Sequence, residues 1–137
     1  FRLERRQLKI SYGNRSRLAL ANRELLRSVI YNFCTNAMRY SDVETSSKLS
    51  VLDNHGSIRI SVRDYGPALP SHIARSLRRG GLDHPTDIAM RPDSTGLGLY
   101  IVSQFVQYMR ARLGVVQHHD GTSFFVDLPI SQQATLF

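Results

Sequence analysis

Between Asn22 and Tyr40 the chain sets Leu26, Val29, Ile30, Phe33 and Ala37 at intervals of three and four residues. That spacing winds into a helix with one apolar arc, and the arc must be buried against another layer. Asn22 can cap the helix, and Glu24 stands in its first turn, where the helix dipole favours an acid. A neighbouring arc carries Asn32, Asn36 and Arg39, with Tyr40 directly after. Asparagine is a mediocre helix former because its side chain competes for backbone hydrogen bonds. Two on one stripe ask for a reason beyond helix formation.

Strand patterns surround this helix. Leu8, Ile10 and Tyr12 alternate with polar residues, and Arg17–Leu20 reads as a second, very short strand. Lys48–Leu52 and Ser57–Arg63 alternate on either side of Asp53-Asn54-His55-Gly56, a hairpin turn. Ser71–Arg78 follows Pro70 as a short helix. From Arg79 to Thr95 no period survives, and a loop of that length in a compact domain is usually functional or mobile. Gly96–Arg112 forms a second long helix with Leu97, Ile101, Val102, Phe105 and Met109 as its core stripe. Leu113–His118 and Thr122–Leu128 then flank the turn Asp120-Gly121. The order β-α-ββ-α-ββ specifies an α+β sandwich, its helices on one face of a mixed or antiparallel sheet. No repeat or linker divides the chain, so residues 1–137 are expected to form a single domain.

Charge narrows the partners. Eighteen Lys and Arg against eleven Asp and Glu give +7, which favours an anionic partner: nucleic acid, a membrane surface or a phosphorylated small molecule. The clusters Arg2/Arg5/Arg6, Arg15/Arg17 and Arg75/Arg78/Arg79 lack interleaved aromatic residues and match no nucleic-acid motif. They read as solvated arginines, and no nucleic-acid partner is expected. Cys34 stands alone, which excludes an internal disulfide and fits a reducing compartment. No apolar run reaches the roughly 20 residues that cross a bilayer. The chain starts at Phe1 rather than Met, so a piece of a longer protein is expected, with anchoring or sensing parts outside it.

Three short constellations carry chemistry. In Asn32-x-x-x-Asn36-x-x-Arg39-Tyr40, spacings of four and three make one stripe. Amide oxygens are hard neutral donors suited to Mg²⁺, the arginine to a phosphate and the tyrosine to a flat base. Asp64-Tyr65-Gly66-Pro67-Ala68-Leu69-Pro70 ends a strand with a carboxylate that only accepts hydrogen bonds. It can hold the exocyclic amine of adenine and repels the carbonyl oxygen of guanine. Ser94-Thr95-Gly96-Leu97-Gly98-Leu99-Tyr100 opens a helix with glycines that expose backbone N–H groups to an anion. Taken singly, each reduces to something ordinary: solvated asparagines, a turn, a helix cap. Their conjunction is specific.

Together the motifs resemble the ATP-binding catalytic domain (HATPase_c) of two-component sensor histidine kinases, a branch of the GHKL superfamily. "NFCTNAMRY" resembles its N box, "DYGPALP" its G1 box, "STGLGLYIV" its G2 box and "DGTSFFVDLP" its closing hairpin. The resemblance runs from about Leu8 to Pro129. It implies a two-layer α/β sandwich of the Bergerat type, a mixed sheet covered on one face by helices. It further implies that Asn32 and Asn36 hold Mg²⁺, that Arg39 meets phosphate and that Tyr40 packs on adenine. Asp64 would take the adenine amine, with Gly66, Ala68, Leu69 and Thr122 near the base. Ser94, Thr95, Gly96, Leu97, Gly98 and Leu99 would frame the phosphates of ATP, under a lid at Arg79–Asp93.

The implied activity is transfer of the γ-phosphoryl group to a histidine, with Asn32 and Arg39 as catalytic residues. Hydrolysing relatives place a glutamate at the Asn32 position, and asparagine cannot act as that base. None of the five histidines lies in an acceptor-like helix, so the acceptor is expected on a dimerisation domain outside the chain. The implied partners are that domain and a response regulator. The chain alone is expected to be monomeric, the full protein homodimeric, with this part a cytoplasmic domain of an inner-membrane sensor. Ala68 stands where the family has a second glycine, the aromatic residues usual between the G1 box and the lid are missing, and a glycine pair is replaced around Arg110–Arg112. These departures leave an alternative: a degenerate nucleotide-binding or docking module without kinase activity. A serine kinase of the anti-sigma type shares the same boxes.

Overall fold

The computed structural model describes residues 6–40, 47–66, 69, 71–78 and 97–131. In chain order they form β1 (Arg6–Tyr12), β2 (Arg15–Ala21), α1 (Arg23–Tyr40), β3 (Lys48–Asn54), β4 (Ser57–Asp64), α2 (Ser71–Arg78), α3 (Leu97–Tyr108), β5 (Arg112–His118) and β6 (Gly121–Pro129). β1 and β2 pair with each other, and the other four strands make one sheet in the order β3-β4-β6-β5. The α+β class holds. Every pairing among the described strands is antiparallel, so the sheet is not mixed. β3–β4 and β5–β6 are each joined through two residues, a connection that can only reverse the chain. The sheet is thus two hairpins joined along one seam, β4 against β6, from Ser57 opposite Pro129 to Asp64 opposite Thr122.

The turns follow from residue type. His55 and Gly56 take φ of 46° and 87°, both positive, as a two-residue I′ turn demands. β2 is seven residues long rather than very short, because Gly13-Asn14 closes it onto β1, with Gly13 at φ 59°. Asn22 caps α1 as expected: its side-chain oxygen accepts from the Leu25 N–H at 3.0 Å. α3 ends at Tyr108, four residues before the Arg112 expected from sequence, and Arg112 opens β5 instead. The stop is a Schellman arrangement in which Ala111 N–H donates to the Val106 carbonyl and Arg110 N–H to that of Gln107, each at 3.0 Å. Arg110 sits at the left-handed position of this cap, with φ 54°.

The core lies between the helices and one face of the sheet. From α1 it takes Leu25, Leu26, Val29, Phe33 and Ala37, while Ile30 is only partly buried. From α3 it takes Leu99, Val102 and Val106, joined by Met109 just past the helix end; Ile101 and Phe105 are half-buried and the Leu97 side chain lies outside what is described. The expected α3 stripe is therefore rotated. That helix is apolar on several faces, and its period alone does not select one. Ile58, Ile60 and Val62 of β4 and Phe124, Val126 and Leu128 of β6 meet these residues. The Phe33 ring stacks on Phe124 with centroids 5.8 Å apart. Burying each such ring contributes about 2 to 3 kcal/mol.

The other face of the sheet is polar. Arg59 donates to both carboxylate oxygens of Asp127 at 2.8 and 3.0 Å, and its guanidinium lies 3.7 Å over the Phe125 ring. The β1–β2 hairpin leans on the sheet at two points. At its base, Ser131 N–H donates to the Leu18 carbonyl at 2.7 Å and the Gln7 amide to the Ser131 hydroxyl at 2.9 Å. Near its tip, the Tyr12 hydroxyl and Arg15 both donate to Asp53 of β3.

Candidate functional site

The inward residues of β4 run Ile58, Ile60, Val62 and then Asp64, so period two delivers a carboxylate to a position built for a fourth apolar side chain. Asp64 is fully buried. An acidic group there is tolerated only if its oxygens are satisfied. Two backbone groups hold one of them: Gly66 N–H and Thr122 N–H both donate to Asp64 Oδ1, at 3.1 and 3.2 Å. Thr122 is available because it is Asp64's cross-strand partner at the end of the β4–β6 seam.

Gly121 lets the two strands come this close. A Cβ at that position would lie 2.0 Å from the Asp64 carbonyl oxygen, a collision with backbone that cannot move aside. Behind the site, Arg63 points to the opposite face and donates to Asp120 in the β5–β6 turn, with its guanidinium 4.4 Å over the Tyr65 ring. The Arg63 guanidinium holds the Asp120 carboxyl below the usual carboxylate range.

A third polar residue completes the row. Gln117 of β5 faces Thr122 across the β5–β6 pair. Its side-chain oxygen accepts from the Thr122 hydroxyl at 3.1 Å, and its side-chain nitrogen donates to the Leu69 carbonyl at 3.4 Å. Thr122 is fully buried and Leu69 nearly so. Asp64, Thr122 and Gln117 therefore form one line across three strands on the helix-facing side, with Gly66 and Leu69 closing over it. Such a corner can take a ligand that donates N–H groups.

Asn32 and Asn36 lie on α1, both half-buried, and α1 packs against β4 and α3. The Asn32 side-chain nitrogen donates to the Ser28 carbonyl at 2.8 Å. A carbonyl cannot face an amide oxygen, so this bond leaves the Asn32 oxygen turned from the helix backbone as a hard donor. That fits a Mg²⁺ ion held jointly by amide oxygens and phosphates. Among the described residues no group of three His, Cys, Asp or Glu side chains could hold a metal by itself.

Of the other expected site residues, Leu99 is buried in α3 and Leu97 and Gly98 form that helix's first turn. Arg39 and Tyr40 close α1, their side chains outside what is described; Ala68, Ser94, Thr95, Gly96 and residues 79–93 lie outside the described residues altogether. The structure thus brings Asp64, Gly66, Leu69 and Thr122 together, and it adds Gln117 and Gly121, which the sequence reading did not assign. Gly121 sat in view beside Thr122. Gln117 had no signal, since a single glutamine in a strand means nothing until the register is known.

Residues 21–132 match the family described as histidine kinase-, DNA gyrase B- and HSP90-like ATPase. The sensor protein GacS of Pseudomonas syringae pv. syringae is 29% identical over 119 residues, 82% of this chain and 13% of that protein. The heme sensor protein HssS of Staphylococcus haemolyticus is 28% identical over 109 residues, 79% of this chain and 23% of that protein. The chain thus spans less than a quarter of either relative. The structure of full-length ShkA in complex with AMPPNP superposes with a TM-score of 0.65 at 28% identity, covering 84% of this chain and 23% of that one. The mycobacterial sensor histidine kinase MprB superposes with a TM-score of 0.65 at 21% identity over 84% of this chain and 76% of that one, a likeness of fold.

Proposed function

Because the chain belongs to the histidine kinase-, DNA gyrase B- and HSP90-like ATPase family, we propose that it is the catalytic part of a sensor kinase. In this reading it binds Mg–ATP and presents the γ-phosphoryl group to a histidine on a dimerisation domain beyond its own residues, for onward transfer to a response regulator. The observation that carries the reading is the buried Asp64, held by the N–H groups of Gly66 and Thr122. A carboxylate fixed this way accepts an amine without reorganising, which is what selection of adenine requires.

The rest of the chemistry is positioning. Asn32 and Asn36 offer neutral amide oxygens to the magnesium ion, which neutralises phosphate charge when bound. Arg39 would meet the phosphates, and the first turn of α3 would offer backbone N–H groups to them. Asn32 cannot deprotonate water, so the site would hold ATP until a nucleophile is delivered rather than hydrolyse it. No described helix is long and apolar enough to cross a membrane. A cytoplasmic location beneath an inner-membrane sensor belongs to the same proposal, as does a monomeric state for this part alone.

Calorimetric titration with a non-hydrolysable ATP analogue tests the reading. Binding should strengthen with Mg²⁺, exclude GTP and weaken by about 30-fold or more in Asp64→Asn, the loss of one hydrogen bond to a charged group. No binding at millimolar analogue to folded protein would refute it, and the docking module would stand in its place. With the acceptor domain supplied, phosphohistidine formation separates a kinase from a module that only binds.

A further inference from the structure

We infer that Gln117 is a positioning residue that sets base specificity, by fixing the direction in which the Thr122 hydroxyl can hydrogen-bond. The inference rests on the adenine reading of Asp64 and goes beyond it. The Leu69 carbonyl can only accept. The Gln117 side-chain nitrogen must therefore face it, at 3.4 Å, and the side-chain oxygen must face Thr122, at 3.1 Å. An amide oxygen can only accept, so the Thr122 hydroxyl gives it its one proton. Whatever else that hydroxyl meets, it meets as an acceptor.

The consequence lies at the end of the seam. Thr122 and Asp64 are cross-strand partners, already joined through the Thr122 N–H. With the hydroxyl proton committed to Gln117, carboxylate and hydroxyl present the same polarity to one ligand edge. An edge bearing an amine satisfies both. An edge bearing a carbonyl oxygen meets acceptors on both residues, and the hydroxyl cannot rotate to rescue it without breaking its bond to Gln117. A threonine without this partner would be neutral between the two edges, because a hydroxyl can donate or accept. Gln117 also ties Leu69 to β5.

The test compares ATP with ITP, which replaces the 6-amino group by a carbonyl. Gln117→Leu removes both hydrogen bonds. It should lower the ATP-over-ITP preference about tenfold, the scale of one hydrogen bond's discrimination. Gln117→Glu keeps an acceptor for the Thr122 hydroxyl but repels the Leu69 carbonyl. It should retain the preference within about threefold while weakening both nucleotides, a split that simple loosening of the fold would not give. Amide exchange at Tyr65, Gly66 and Leu69, measured without nucleotide, should quicken in both variants. A folded Gln117→Leu protein that keeps the full ATP preference would overturn the inference. A wild-type chain that binds neither nucleotide would overturn the adenine reading and this role with it. The wild-type titration distinguishes the two failures.

Discussion

At the scale of single residues, Asp64 breaks the apolar alternation of its own strand. Alternation along β4 places it where valine or isoleucine would fold more readily, and backbone N–H groups offset its burial. Its place at the strand end was legible because a carboxylate closing a strand before a glycine is a local pattern. Gln117 was not legible, because its meaning depends on β5 lying beside β6 in a particular register. Gly121 bears the strictest local constraint. Gly121→Ala would drive a Cβ into the Asp64 carbonyl oxygen. The variant should lose about 3 kcal/mol in urea unfolding, and nucleotide affinity should fall with it as Asp64 is displaced. Retained stability would mean that the strand ends separate more easily than their pairing implies.

At the scale of elements, local chemistry was readable wherever it was self-sufficient. α2 has the bounds its sequence predicts, and Asn22 caps α1. The β3–β4 turn fell where His55-Gly56 permits it. Two elements differ from their sequence pattern for physical reasons. β2 is longer than its pattern implies because its exposed half, Arg15–Arg17, carries no apolar alternation and owes its extension to pairing with β1. α3 is shorter because Arg110, helical by residue type, occupies the left-handed position that glycine fills most comfortably. Arg110→Gly should therefore stabilise the chain by about 0.5 to 1 kcal/mol. The gain is the left-handed strain relieved, less the greater freedom of glycine in the unfolded chain. Thermal unfolding would register it, and an unchanged or lower midpoint would show that the arginine side chain offsets the strain.

At the scale of the whole molecule, the sheet order was the part sequence could not supply, since hydrophobic patterns do not say which hairpin meets which. Nor did they reveal that the β1–β2 hairpin is strapped to β3 through Asp53. The hydrogen bond from Tyr12 holds the Asp53 carboxyl below its ordinary 3.8, with Arg15 and Arg17 adding to it, and the same bond lifts the Tyr12 hydroxyl above its ordinary 10.0. The signs set a window. The Asp53 contribution is complete above the unfolded carboxyl value and is lost as pH falls through the lower folded one; the Tyr12 contribution is complete below 10.0 and is lost as pH rises through the higher folded one. The strap's own contribution should thus be flat from about pH 5 to 9, and the acid fall of the unfolding midpoint should be shallower in Asp53→Asn. High salt should shrink the difference between the two proteins, because these charges are exposed. An identical acid limb in both would show that the strap contributes nothing.

The β4–β6 seam also sets the order of events when the chain folds. Each hairpin can form from neighbours in sequence, on a microsecond scale, but the seam must wait for a long loop to close. Asp64 meets Thr122 at the end of that seam. A half-folded chain therefore owns every residue of the site and none of its geometry. On the ATP-binding reading proposed above, nucleotide would bind only the finished protein, and at a hundred times its dissociation constant it would hold that state by about 2.7 kcal/mol. In a cell where ATP is plentiful, the ligand would double as the last clamp on the fold.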